Sequence, residues 1–546
     1  MNRIGVIDFE TDPFRHGQRI QPFAACFMND EVEKTFWQRT EVDARHGNQT
    51  VKALVAYLDA LPEPHIIYAH NGGRFDFYFL LPYLRSAMSI VAGRIVQCYL
   101  GKHELRDSFA AVPAPLKAYK KDDMTEEDYQ HKFRWPRRNF YEAEITAYMR
   151  NDCRYLLELM TGFVSEFGNK ITIGSAAMAE LRRFHKFQIM VPEVDRAMRS
   201  FFFGGRTQCF ETGIIEDDLR VYDVNSMYPF AMKTFRHPVS SFPKLMPRIG
   251  PRSFFAKIDA VNRGALPMKH KDGSLDFTVR SGTFYASIHE INAGADTGTL
   301  DVQKVHYAVD FDQSLSFADF VDHFYLARME AKRNGDLLRT LFYKLVLNSA
   351  YGKFAQNPAD FYDYEITDGA MMPVCRTECD PETCRVHWSY VTHHETYMIW
   401  RKRPERVENG YYNVATAASI TGAARSILLR GLSRAERPIY CDTDSIVCRS
   451  LSGNVGGDDL GNWKLEAHGD AMAIAGKKLY ALTNAGVGVK KAHKGAKLSY
   501  ADIFDIARGG QVEWPNPVPK FGLDGSQTFM RRRIRMTSGN GSDFMR

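Results

Sequence analysis

Apolar stretches along this chain repeatedly run into acidic side chains. From Arg3 to Thr11 the order R-I-G-V-I-D-F-E-T reads as a strand, and its acidic residues Asp8 and Glu10 stand two apart. Residues i and i+2 leave a strand on the same side, so both carboxylates face one spot. The segment I-I-Y-A-H-N-G-G-R-F-D repeats the theme: an apolar strand at 66–69 meets Asn71 and two glycines, and Phe75-Asp76 opens a helical pattern. Residues 141–160, Y-E-A-E-I-T-A-Y-M-R-N-D-C-R-Y-L-L-E-L-M, have helical periodicity, which puts Tyr148 and Asp152 on one face. Around residue 440, Ile439, Tyr440, Ile446 and Val447 read as strand and enclose Asp442 and Asp444, again two apart.

Taken singly, each of these has a plain alternative. Asp76 could cap a helix, Tyr148 and Asp152 could lie on an ordinary helix surface, and C-D-T-D-S could be a hairpin turn with turn hydrogen bonds. Two carboxylates held side by side repel and raise each other's pKa. A divalent cation is the usual way to offset this.

The order of the patterns is more specific than any one of them. D-x-E (Asp8, Glu10), N-x3-F-D (Asn71, Phe75, Asp76) and Y-x3-D (Tyr148, Asp152) resemble the three exonuclease motifs of proofreading DNA polymerases with an RNase H-like domain. The resemblance implies that Asp8, Glu10, Asp76 and Asp152 hold two divalent ions and that Tyr148 orients the attacking water. D-S-F-A-A-V-P-A-P-L-K-A-Y resembles a segment that holds the single-stranded 3′ end, with Ser108 and Phe109 where that family has Ser/Thr-Leu. Lys121 in K-D-D-M matches a lysine that assists exonuclease catalysis.

Further along, R-V-Y-D-V-N-S-M-Y-P-F-A-M resembles motif A of family B DNA polymerases. It implies Asp223 and the Val224 carbonyl as metal ligands and Tyr228 as the ring that leaves no room for a 2′-OH. Y-K-L-V-L-N-S-A-Y-G-K-F resembles motif B, K-x3-N-S-x-Y-G. Lys344, Asn348 and Tyr351 recur at helical spacing and line one face; Lys344 suits a triphosphate as a point charge, with Lys332 as a second phosphate contact. Y-C-D-T-D-S resembles motif C, with Asp444 a metal ligand and Asp442 more peripheral. Lys478 and Tyr480 match K-x-Y, which holds the primer terminus. Thr421 and Arg425 match T-x2-A-R, a DNA contact. Phe202, Gly204 and Gly205 match Y-x-G-G, with Phe202 in place of Tyr.

The length of 546 residues exceeds what one core serves. The resemblance therefore implies an α/β multidomain protein. Its parts are an RNase H-like 3′–5′ exonuclease domain (1–172) and a right-hand polymerase with palm (173–232 and 413–497), fingers (321–356) and thumb (498–546). The motif A–B spacing exceeds what a helical hairpin needs, so 233–320 reads as a first insertion, which docks a priming terminal protein. The segment 357–412 reads as a second insertion, for strand displacement and processivity. The compact size resembles the protein-primed polymerases of bacteriophages with linear genomes. That implies proofreading synthesis on primer–template DNA from dNTPs, with two Mg²⁺ per active site and Mn²⁺ as a substitute, a single-stranded DNA-binding protein as partner, and a monomer. Two alternatives are an enzyme that starts without a protein primer, as in a mobile element, and a nuclease-only DNA-binding protein.

Composition adds limits. The formal charge of +6 permits a polyanionic partner without requiring one. Lysines cluster late (Lys477, Lys478, Lys490, Lys491, Lys494, Lys497), as do Arg531, Arg532, Arg533 and Arg535; they read as phosphate contacts. No apolar run approaches the ~20 residues of a membrane span, and the charged opening strand is unlike a signal peptide, so the host cytoplasm is expected. Nine mostly scattered cysteines suit a reduced compartment. Cys375, Cys379, Cys384 and His387 have ligand chemistry, but not the spacing of a strong zinc pattern.

Overall fold

The computed structural model describes residues 3–14, 19–42, 47–116, 124–369, 371, 373, 388–403, 410–453, 455–493, 496 and 498–537. Lys121, the Cys375–His387 cluster, Lys494 and Lys497 lie outside them, as do the side chains of Arg531 to Arg535.

The N-terminal part is built on a ten-stranded sheet. In it Arg3–Thr11 runs parallel to His65–Ala69 and antiparallel to Pro22–Asn29. Both faces are covered, which explains the near-continuous apolar runs. Val6 and Tyr68 pack toward the helix Glu142–Phe167 through Met149 and Cys153. Ile7 and Ile67 pack toward the helix Gln49–Ala60 through Leu54 and Val55. By strand alternation Asp8 and Glu10 share the Val6 face, toward the helix that carries Tyr148 and Asp152. The segment 357–412 is not a body apart. Its strands Asp363–Asp368, Tyr397–Lys402 and Ser389–His394 extend this same sheet beyond Ser86–Val91.

A second sheet of seven strands is antiparallel in all its pairings, with Gly213–Val224 between Trp463–Gly476 and Ser445–Cys448. The hairpin Tyr440–Asp442/Ser445–Cys448 turns through Thr443 and Asp444. Behind it lies the helix Val414–Leu432, buried along nearly its whole length. Its Ala, Gly, Ser and Thr residues permit close approach: a Cβ on Gly422 would meet the Ser287 hydroxyl at 2.2 Å, and one on Gly431 the Trp463 ring at 2.4 Å.

Two antiparallel helices, Ala318–Arg333 and Leu337–Phe354, stand over the end of that sheet. They are joined through Gly335 at φ +72° and capped by the Asp336 side chain. The segment between motifs A and B forms a four-stranded sheet of its own, Lys244–Met246, Leu300–Asp310, Ser253–Asn262 and Ser281–Ser287. The helix Ile288–Asp296 packs on that sheet. Near the C-terminus the ribbon Val512–Phe521/Gln527–Met536 reaches back to the N-terminal part, where Phe521 packs against Phe75, Tyr78 and Phe79. Among the described residues no helix is long and apolar enough to cross a membrane.

Candidate active sites

The first acidic group is buried in the N-terminal sheet. Burial, then repulsion from Glu10, Asp76 and Asp152, pushes the Asp8 carboxyl well above its ordinary range. Glu10 is raised in the same way, by burial and then Asp152 and Asp76. Asp76 opens the helix Asp76–Leu80 and burial pushes it up to about 7. Its Oδ1 is buried with no hydrogen-bond partner. The Tyr148 hydroxyl is raised by burial, then by the charge of Asp152, to which it is also hydrogen-bonded. The chain thus gathers four mutually repelling carboxylates and one tyrosine.

Beside this group the structure joins three residues singled out for single-stranded DNA. Asn71 sits at φ +60° before Gly72 and Gly73, and a Cβ on Gly73 would overlap the Ile95 carbonyl. Arg94 ties the cluster together: its Nη1 donates to Asn71 Oδ1 at 2.8 Å, it pairs with Asp107, and its guanidinium lies 4.8 Å from the Phe109 ring centre. Ser108 Oγ and His70 Nδ1 are hydrogen-bonded at 3.1 Å. Phe75 stands away from this cluster, under Phe521. Arg94, Asp107 and His70 were not anticipated; the only sequence signal was an acid at a strand end directly before Ser108.

The second group lies where the seven-stranded sheet meets the helical pair. Asp223 is paired in register with Ser445 on one side and Lys464 on the other. The Val224 N–H donates to the Asp444 carbonyl at 2.9 Å, which docks the hairpin turn against the end of the motif A strand. Burial, then the charges of Asp444 and Glu466, pushes Asp223 up to about 7; Asp444 is raised mainly by burial. Asp442 differs. Its carboxylate accepts from Lys478 Nζ at 2.9 and 2.8 Å and from Thr207 Oγ1 at 2.8 Å, so its lone pairs are committed inside the chain.

A cavity of about 510 Å³ opens above these carboxylates. Asp223, Val224, Tyr228, Lys332, Lys344, Asn348, Tyr351 and Asp444 all line it, so residues from all three polymerase patterns meet there. The Tyr228 and Tyr351 rings are stacked, with centres 4.0 Å apart and planes 12° from parallel. Tyr325, Arg328, Asp458 and Lys464 also line it and were not anticipated. Arg328 had a signal, one turn before Lys332 on the same helix.

Other expected contacts have different partners. Arg425 is buried; its Nε donates to Glu290 Oε1 at 2.7 Å and its Nη1 to the carbonyls of Phe203 and Gly204 at 2.6 and 2.7 Å. Thr421 is buried and donates to the Ala418 carbonyl. Both side chains bond within the protein, and Arg425 Nη2 is left buried without a hydrogen-bond partner among the described residues. Gly205 gives room for the hairpin turn: a Cβ there would come within 2.8 Å of the Thr443 hydroxyl. Phe202 packs between two apolar clusters. Tyr480 is buried beside Tyr440, ring centres 5.1 Å apart. Among the late lysines, Lys490 pairs with Glu466, Lys491 donates to the Leu498 carbonyl and Lys477 to that of Leu275. These four lysines, Lys478 included, serve acids and carbonyls of the chain itself.

The family model for DNA polymerase type B, organellar and viral, matches residues 110–446. The chain belongs to the type B DNA polymerases. It is a DNA-directed DNA polymerase, 44% identical over 98% of its length, and 98% of the relative's, to that of Enterobacteria phage PRD1. The DNA polymerase of Bacillus phage phi29 is 24% identical over 48% of this polymerase and 50% of its own length. Among solved structures, phi29 DNA polymerase in an orthorhombic crystal form superposes with a TM-score of 0.72. The match covers 99% of this polymerase and all of that chain, at 16% identity. The phi29 complex with primer–template DNA and incoming nucleotide substrates gives 0.72 at 17%. The polymerase thus has the multidomain α/β fold of that type B enzyme over nearly its whole length.

Proposed function

We propose that this polymerase copies a linear genome from a protein primer, displaces the strand ahead of it and proofreads its product 3′ to 5′. The observation that carries the synthetic site is the single cavity lined by Asp223, Asp444, Tyr228, Lys332, Lys344, Asn348 and Tyr351. In this reading the seven-stranded sheet is the palm, the helical pair 318–354 the fingers and the C-terminal ribbon the thumb. Primer–template DNA and dNTPs are the substrates.

The donor set suits magnesium, which takes one or two carboxylates and leaves other positions to water and substrate phosphates. Among the described residues no three or more acidic, histidine or cysteine side chains are placed to hold an ion by themselves, so in either site water and substrate phosphates would complete the shell. Asp223, Asp444 and the Val224 carbonyl would hold the ions, whose chemistry is to neutralise phosphate charge and activate the primer 3′ oxygen. Lys332 and Lys344 bind the triphosphate, and Asn348 and Tyr351 face the nascent pair. The Tyr228 ring fills the space a 2′-OH would need. Asp442 positions Lys478 through its two hydrogen bonds, which sets that ammonium at the primer end. Catalysis is then mostly orientation and charge neutralisation.

For proofreading, Asp8, Glu10, Asp76 and Asp152 would hold a second pair of ions, a reading supported by the raised carboxyls and by the unpartnered Oδ1 of Asp76. Tyr148 orients water, while Asn71, Ser108 and Phe109, braced by Arg94, hold the frayed strand. Lys121 keeps its proposed auxiliary role. The sheet at 244–310 is the proposed dock for a terminal protein. The strands at 363–402 border the template path, and a single-stranded DNA-binding protein assists in the host cytoplasm.

The test separates the two sites. Asp8→Ala with Glu10→Ala should remove digestion of single-stranded DNA and keep primer extension; Asp444→Ala should do the reverse. Loss of both activities in either folded variant overturns the two-site reading. Labelled dNTP incubated with the product of a neighbouring gene tests priming: a covalent adduct supports it, and chains started on bare template without one favour primer-independent initiation.

A further inference from the structure

One acid in the nucleotide cavity has no place in the roles above. Asp458 lies in the loop before the strand Trp463–Gly476 and lines the cavity together with four cations, Arg328, Lys332, Lys344 and Lys464. Its Oδ1 accepts from Lys464 Nζ at 2.5 Å, and its carboxyl is held below the usual range first by Lys464 and then, more weakly, by Lys332. Lys464 is the register partner of Asp223, so this acid sits over the catalytic end of the sheet.

The loop is fixed at both ends of the cavity. On the helical pair, Tyr325 OH donates to the Asp458 carbonyl at 2.8 Å. Tyr325, Arg328 and Lys332 recur at helical spacing, so one face of that helix presents the anchor and two cations together. On the sheet, the Asn225 N–H donates to the Asn462 carbonyl at 3.0 Å and the Gly461 N–H to the Asn225 carbonyl at 2.9 Å. Asn225 Nδ2 also donates to the Gly457 and Asp459 carbonyls. Gly461 is required there, at φ +86° with the Phe230 ring 2.3 Å from where a Cβ would stand. These bonds build the loop backbone into the cavity wall, and the exposed carboxylate it carries is tied by Lys464.

We propose that Asp458 is an electrostatic placeholder for the triphosphate: in the nucleotide-free enzyme it occupies Lys464 and faces Lys332, and an incoming nucleotide must displace it from them. The proposal rests on reading this cavity as the dNTP site. Its consequence scales with the charge of the ligand. A triphosphate has enough negative charge to displace the carboxylate; a diphosphate has less and gains less. The placeholder also keeps four clustered cations from repelling one another before substrate arrives. The cost is a weaker apparent affinity, modest because the pair is exposed to water.

The experiment measures steady-state KM for dNTP, and inhibition by the matching dNDP, on a primed single-stranded template. Asp458→Asn keeps shape and the backbone carbonyl that Tyr325 uses. It should lower KM about threefold with kcat unchanged, and tighten dNDP inhibition by less than that, since a diphosphate gains less from the cations released. In a Lys464→Ala background the same substitution should have a clearly smaller effect, since the partner it releases is gone. An unchanged or raised KM in Asp458→Asn overturns the proposal, as does an equal gain in both backgrounds. Lys332→Ala separates the two readings. If it raises KM while Asp458→Asn does nothing, the cavity takes dNTP and only the placeholder fails. If Lys332→Ala leaves KM unchanged, the assignment of the cavity itself fails.

Discussion

At the scale of single residues, environment separates side chains that look alike in sequence. Asp442 and Asp444 stand two apart in one motif, yet Asp442 is saturated by Lys478 and Thr207 while Asp444 is raised by burial at the cavity. The Tyr228 ring is stacked on Tyr351, and its proposed role is to exclude a 2′-OH. Tyr228→Val should raise ribonucleotide over deoxyribonucleotide incorporation at least about tenfold, a shift of ~1.4 kcal/mol in discrimination; paired single-turnover assays check it, and an unchanged ratio removes the role. A different chemistry governs His237 and His289. Both are neutral in the folded chain, bridged by the Ser419 hydroxyl at 2.9 and 3.2 Å, with Glu290 and Arg430 nearby. Burial pushes His237 down to about 3 and His289 to about 4. The unfolded chain protonates these rings near pH 6.5, the folded chain only at lower pH, so the unfolded state binds more protons in between. Their stabilisation is full above about pH 6.5 and is lost as pH falls toward 4, at about 1.4 kcal/mol per pH unit for each ring. Urea unfolding across that window should show the slope, and His237→Asn should make it shallower.

At the scale of elements, close approach is the deciding factor. The motif C turn reaches its place because Gly205 lets Thr443 in and the Arg206 carbonyl accepts the Thr443 N–H at 2.6 Å. Gly205→Ala should push the turn outward and slow primer extension by roughly ten- to a hundredfold, the scale of an ångström misplacement at a reacting centre. Digestion of single-stranded DNA, measured on the same preparation, should be unchanged. The neighbouring Arg425–Glu290 pair joins the long helix to the helix Ile288–Asp296 that packs on the inserted sheet, with side chains 3% and 2% exposed. Arg425→Ala would leave Glu290 buried and unpaired and should cost about 3–5 kcal/mol, read as a lower thermal or urea midpoint. Unaltered stability with weakened DNA binding would return Arg425 to the contact role its motif implies.

At the scale of the whole molecule, the C-terminal ribbon closes the chain on itself. Phe521 sits within 5.3 to 5.9 Å, ring centre to ring centre, of Phe75, Tyr78 and Phe79, and Tyr397 OH donates to the Leu523 carbonyl at 2.9 Å. Three regions far apart in sequence meet at this one contact. Phe521→Ala should weaken the docking by about 1–3 kcal/mol. Insertion of a single nucleotide should survive, while product length in one binding event drops; a trap assay on a long primed template measures both. Equal loss of both would mean that the ribbon supports the catalytic centre itself.

What the chain order determined by itself was the chemistry and its grouping. Asp8 with Glu10, Tyr148 with Asp152, and Lys344 with Asn348 and Tyr351 were legible because strand and helix periods are local and place such residues on one face before any packing is known. Which groups face each other was not local. The order of motifs implied that Asp223 meets Asp444, but their joining is made by sheet register and by the Val224–Asp444 hydrogen bond. Arg94, Lys464 and Asp458 had no sequence signal, since each acquires its role only from a partner brought in by the fold: Asn71 and Asp107, Asp223, and the cations of the cavity. Tertiary structure also decided which charges are available. Arg425, read from sequence as a DNA contact, is buried against Glu290, because an interior charge left unpaired is costly, while Lys478 is paired with Asp442 yet stays exposed and keeps its proposed place at the primer end.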